Sequence, residues 1–329
     1  MPHMSLDIER LLGGIRDRDR AVIGRALTLV ESNLATDRRL AQELLTALLP
    51  LTGGARRIGI SGVPGVGKST FIETFGCSLV DKGHRVAVLA VDPSSSVSKG
   101  SILGDKTRME KLAVSDGAFI RPSPTGGSLG GVARKTRESI LVCEAAGYDV
   151  VLVETVGVGQ SETAVAEMVD CFLLLMLTGA GDELQGIKRG ILELADVIAI
   201  NKADGGNTEA AERARTELER ALAILRPAGD GGWTPKVVMS SGSTGAGLDE
   251  IWRLIEEHRT VMEAGGKLER RRQKQLLGWM WEMVDEGLRN AVREHPGVAE
   301  TLNSIETDVL DGRTTPSAAA ENILGVFGK

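Results

Sequence analysis

The chain has 329 residues, 42% of them hydrophobic and 26% charged, with a formal net charge of −6. That length suits one substantial α/β domain with smaller attachments, and the acidic balance argues against a nucleic-acid partner. Cys77, Cys143 and Cys171 stand singly, without C-x-x-C spacing or a nearby His, so neither a disulfide framework nor a zinc site is supported. No signal-peptide pattern and no run of eighteen uncharged apolar residues occurs, so a cytoplasmic protein that does not cross a membrane is expected.

The spacing of Leu6, Ile8, Leu11 and Ile15, then Val22, Ile23, Leu27 and Val30, then Leu40, Leu44 and Leu48, predicts helices. Residues 1–54 are read as an N-terminal helical extension. From 55 to 264, short apolar runs alternate with helical stretches. The runs are 58–61, 86–91, 119–121, 150–153, 171–177, 197–200 and 237–240. Several are apolar almost throughout, as strands are when a mostly parallel sheet is covered by helices on both faces. Such α/β sheets place ligands at the C-terminal ends of their strands.

Residues 265–329 change character. Leu276, Met280, Met283 and Gly287 form one helical face, and Leu277, Trp281, Val284 and Leu288 the neighbouring one. So wide a stripe fits either a helix pinned between domain and tail or a dimer interface. The basic run Arg270-Arg-Arg-Gln-Lys274 opens this segment and reads as a solvated helix face. Thr315 ahead of Pro316 caps a last short helix.

Gly62, Val63, Pro64, Gly65, Val66, Gly67, Lys68 and Ser69, with Thr70 next, fit G-x-x-x-x-G-K-[ST] between a strand and a helix. This arrangement aims backbone N–H groups and a helix N-terminus at a phosphate chain, with Lys68 reaching the phosphates and Ser69 a Mg²⁺ ion. Asn201, Lys202 and Asp204 follow another strand as N-K-x-D. The Asp204 carboxylate only accepts hydrogen bonds, which suits the N1–H and N2–H donors of guanine and not adenine. Asn201 can tie this loop to the glycine loop, and the Lys202 stem can lie along the base. Ser240, Ser241 and Gly242, opening the string 240–247, read as the loop covering the guanine from the other side. Together these predict GTP/GDP binding.

Magnesium needs further oxygen ligands. Asp92 follows a strand, Asp105 lies in a loop able to close over the γ-phosphate or to cap a turn, and Glu154 stands where many GTPases carry the Asp of D-x-x-G. Val158 occupies the place of the water-orienting glutamine, and Val63 that of the MinD-type lysine. Catalytic help must therefore come from elsewhere. Gln160, and Asp182, Gln185 and Lys188 in a glycine-rich loop, are the candidates beside Lys68 and Glu154. Slow intrinsic hydrolysis, accelerated when a partner orders a loop, is the expectation.

These motifs, with the strings at 92–95, 101–109, 121–137, 154–162 and 178–188, resemble the MeaB/ArgK/MMAA family of P-loop GTPases. The resemblance implies a P-loop NTPase of the SIMIBI type and a homodimer formed through residues 265–329. It implies magnesium ligands at Ser69, Asp92, Asp105 and Glu154, and a partner-sensing loop at 178–188. It also implies a chaperone for adenosylcobalamin-dependent methylmalonyl-CoA mutase, gating cofactor loading and protecting that enzyme. Two other readings stay open. A nickel-inserting maturation GTPase would want a Cys/His cluster, which the scattered His3, His84, His258 and His295 do not form. A GTP-dependent kinase would need a base for an acceptor hydroxyl, and none stands out.

Overall fold

The structure, a computed structural model, describes residues 7–91, 109–122, 129–155, 161–178, 189–225 and 232–328. Among the described residues seven strands form one parallel sheet: β1 (Arg56–Gly62), β2 (Val86–Val91), β3 (Ala118–Arg121), β4 (Val150–Thr155), β5 (Cys171–Met176), β6 (Val197–Ile200) and β7 (Lys236–Met239). Their spatial order is β3-β2-β4-β1-β5-β6-β7. Every residue of β5 and of β6 is buried, as the uninterrupted apolar runs required.

Three helices precede the sheet: α1 (Ile8–Arg16), α2 (Arg20–Val30) and α3 (Ala35–Leu48). Asp7 and Asp19 cap the first two by accepting hydrogen bonds from backbone N–H groups of their first turns. Within the sheet-bearing part follow α4 (Lys68–Asp81), α5 (Glu110–Ala113), α6 (Leu129–Ala145), α7 (Ser161–Ala166), α8 (Arg189–Leu194), α9 (Thr208–Leu225) and α10 (Leu248–Ala264). Side chains alternate across the strands, so Ile58 and Ile60 of β1 enter a core with Phe71 and Phe75 of α4 and Ile251 and Leu254 of α10. On the other face, Gly59 lets α7 come close: a Cβ there would stand 2.8 Å from the Val165 side chain. The first three helices pack on one another and on α6.

The chain divides into two compact units, Met1–Gln273 and Lys274–Lys329. The division falls inside α11 (Lys267–Glu294), because its first turns are fastened to the sheet-bearing unit. Arg272 donates from Nε and Nη2 to the Asp170 carboxylate at 2.8 and 2.7 Å, and Arg271 donates to Asp170 O and to Asp196. Arg271 and Arg272 are therefore half-buried ion-pair partners, which corrects the reading of the basic run for these two, while Arg270, Gln273 and Lys274 are exposed as expected. The second unit adds α12 (Pro296–Leu310) and α13 (Pro316–Phe327), closed around Val298, Ile305 and Ala319. Thr315 caps α13 by accepting from Ala318 N at 3.2 Å.

Candidate nucleotide-binding site

The glycine loop stands where the winding of the sheet reverses. From β1 the chain goes outward to β2 and β3, returns to β4 beside β1, and then leaves the other way through β5, β6 and β7. Ligand crevices open at such switch points. β1 ends at Gly62 and α4 begins at Lys68, so Val63, Pro64, Gly65, Val66 and Gly67 span the crevice, and Lys68, Ser69 and Thr70 form the first turn. Gly67 caps α4 at φ +90°, in the left-handed region, and no side chain caps the helix there. The first N–H groups of a fourteen-residue helix thus stay open to an anion.

The loop's carbonyls, by contrast, are pinned from outside. Asn201 Nδ2 donates to Val66 O at 2.8 Å, Lys202 Nζ to Gly65 O at 2.8 Å, and Lys68 Nζ to Gly62 O at 2.7 Å. With the carbonyls held back, a positive cradle is left facing the crevice. Asn201 is almost fully buried and works at both ends: its Oδ1 accepts from Gly242 N at 2.9 Å and from Ser240 Oγ at 3.4 Å. Gly242 sits so close to α4 that a Cβ would lie 2.9 Å from Phe71 Cα. Thr74 of that helix adds a bond to Gly242 O at 2.6 Å. The loops after β1, β6 and β7 therefore form one hydrogen-bonded body.

Asp204 lies half-buried at the edge of this body. Ser241 Oγ donates to its Oδ2, and Ser243 Oγ does so at 2.9 Å. These two hydroxyls, Ser241 first, hold the carboxyl below the usual aspartate range, so it stands ready as an anionic acceptor. Ser243 lies in the loop expected to cover the guanine, and its contact reaches back 39 residues. Sequence reading does not mark Asn207, which donates to Lys202 O at 2.8 Å and accepts from Thr178 Oγ1 at 2.8 Å.

At the phosphate end, Ser69 Oγ donates to Glu154 Oε1 at 3.4 Å, bringing two hard oxygen donors together at the start of α4. Burial pushes the Lys68 ammonium below the ordinary lysine value, while the carboxylates of Glu154 and Glu162 pull it the other way. Glu162 is a buried member of this charge group that sequence reading did not single out. Asp92, Asp105, Gln160, Asp182, Gln185 and Lys188 lie outside the described residues. Among the described residues no group of three or more His, Cys, Asp or Glu is arranged to hold a metal ion, and no helix is long and apolar enough to cross a membrane. The donor set fits a nucleoside triphosphate: a cradle of N–H groups, an amine beside it, two oxygens for a divalent cation, and an anionic acceptor at the base.

Comparison with known proteins agrees with that chemistry. The family described as methylmalonyl-CoA mutase-associated GTPase MeaB matches residues 23–297. The GTPase ArgK of Escherichia coli is 48% identical, over 91% of this chain and 92% of its own. A mouse protein named methylmalonic aciduria type A homolog, mitochondrial, is 47% identical, over 97% of this chain and 79% of its own. A solved structure described as an LAO/AO transport system kinase superposes with a TM-score of 0.79 at 38% identity, covering 100% of both chains.

Proposed function

The chain belongs to the MeaB family of P-loop GTPases, and from that premise we propose that it serves as a magnesium-dependent chaperone of an adenosylcobalamin-dependent methylmalonyl-CoA mutase. Guanine-nucleotide binding and GTP hydrolysis come with the family itself. The observation that carries the nucleotide chemistry is the Asn201 bridge, which joins the phosphate loop to the loops flanking Asp204. What supports the client is the family's description and the disease name borne by the mouse relative.

In this reading the open N–H groups of α4 and Lys68 neutralise the phosphate chain, and Asp204 accepts from guanine N1–H and N2–H. Ser69 and Glu154 fit a hard divalent cation, and Mg²⁺ would be held there with Asp92 and Asp105 as further ligands. When bound, that ion supplies charge neutralisation at the phosphates. Gln160, Asp182, Gln185 and Lys188 are the proposed source of water orientation and added charge once a partner orders their loops. Hydrolysis then times cofactor loading and protection of the mutase in the cytoplasm.

The homodimer belongs to the same proposal. Leu276, Leu277, Met280, Trp281, Met283, Val284 and Leu288 of α11 are each between 39% and 61% exposed, a stripe of the kind two copies bury between them.

The test is GTP turnover by the purified protein, alone and with a stoichiometric mutase. Acceleration supports the client and the idea that contact completes the active site. Unchanged turnover, with no complex in either GTP or GDP, removes this client and leaves the GTPase. Labelled γ-phosphate should appear as inorganic phosphate, and its recovery on any other acceptor would favour the kinase reading.

A further inference from the structure

Helices α1, α2 and α3 line an open cavity of about 520 Å³ in which no residue of the glycine loop takes part. Its floor is apolar: Leu11, Val22 and Leu29 line it, and each is itself almost fully buried. Leu34, 65% exposed, carries the apolar surface out to the rim. The volume lies within the range that small ligands use, and is too small to seat a partner's helix.

Charge is what gives the cavity a preference. Two acids and two bases line it, but they are not equally engaged. Asp7 accepts from Glu9 N at 3.0 Å as the cap of α1, and Asp37 accepts from Ser32 Oγ at 2.6 Å. The side chains of Arg10 and Arg25, one from α1 and one from α2, make no hydrogen bond or ion pair with any described residue. The aspartates are engaged by their own backbone and loop, while neither guanidinium has a partner among the described residues. A guanidinium pairs best with a planar oxyanion, presenting two parallel N–H donors.

We propose that this cavity binds an aliphatic carboxylate of medium chain length, its alkyl chain against Leu11, Val22 and Leu29 and its head group between Arg10 and Arg25. The site is separate from nucleotide chemistry and does not depend on the mutase proposal. It has a structural route to the rest of the molecule, however. Thr28 of α2, which also lines the cavity, accepts from Arg121 Nη2 at 3.2 Å, and Arg121 ends β3 while gripping Glu31 at the end of α2.

The test is calorimetric titration of the full-length protein with decanoate, beside decanol and decylamine, repeated on the R10Q/R25Q variant. Both arginines are exposed, so the variant should fold, and unchanged GDP affinity checks that it has. Saturable decanoate binding at one site, weakened about tenfold or more in the variant and absent for decylamine, is the expected result. The proposal is overturned by a lack of saturable decanoate binding, by equal affinity in the variant, or by decanol binding as tightly as decanoate.

Discussion

Asp204 is only half-buried on a short loop, yet two hydroxyls meet on one of its oxygens. Ser243 and Ser241 supply the order that burial would otherwise give. Replacing Asp204 with Asn removes the anionic acceptor and offers an amide N–H in its place. D204N should weaken GDP binding about a hundredfold and gain affinity for xanthine nucleotides, whose C2 carbonyl accepts that donor. Competition binding with GDP and XDP reads both changes. The hydroxyls also set a pH dependence. Because they depress the carboxyl's pKa, base recognition holds below the ordinary aspartate range and fails as pH falls through the depressed value. S241A/S243A should move that failure to higher pH, measured as GDP affinity from about pH 6 downward. At this scale the sequence was legible where a motif is contiguous, as at Gly62 to Ser69 and Asn201 to Asp204. It was not legible where the partner is reached through space. The Glu162 carboxylate acts on the Lys68 charge because α7 packs back over β1, a proximity that no spacing rule encodes.

Among the elements, α11 shows how a long helix is fixed at one end. Burial alone would raise the Asp170 pKa, but the Arg272 hydrogen bonds and charge outweigh it and leave the carboxyl below its usual range. A carboxyl depressed in the folded state stabilises the fold above the ordinary aspartate range and loses that contribution as pH falls through the lowered value. Breaking such a buried pair from one side costs about 3–5 kcal/mol. R272A should therefore lower the unfolding free energy from urea titration at neutral pH by that order, and the variant should show a weaker loss of stability on acidification than the parent. The strands were readable because burial on both faces leaves no polar alternation, so the runs at 86–91 and 197–200 coincide with β2 and β6. The basic run at 270–274 was not. Its acidic partners, Asp170 and Asp196, lie 102 and 75 residues earlier and come opposite it only through the parallel winding of the sheet.

For the molecule as a whole, the sheet-bearing unit holds every described residue of the nucleotide site, and the smaller unit holds most of the exposed stripe of α11. Assembly and nucleotide chemistry should therefore separate by mutation. In the proposed homodimer, L277E/W281E is expected to shift the protein from dimer to monomer in analytical ultracentrifugation with GDP affinity unchanged, whereas D204N should alter affinity and leave that assembly intact. Fold class followed from the alternation of apolar runs and helices. What surrounds the site did not, because the network joining three loops depends on distances between segments more than a hundred residues apart.

The side chain of Asn201 has a consequence for how such a protein can change over generations. It is the keystone between the part that names the base and the part that grips the phosphates, bonded to Val66 on one side and Gly242 on the other. A lineage shifting to another nucleotide can explore Asp204 and its serines freely, since a poor choice there alters preference and little else. At Asn201 the same exploration loosens both functions at once, so the fuel of this machine is open to revision while the hand that holds it is not.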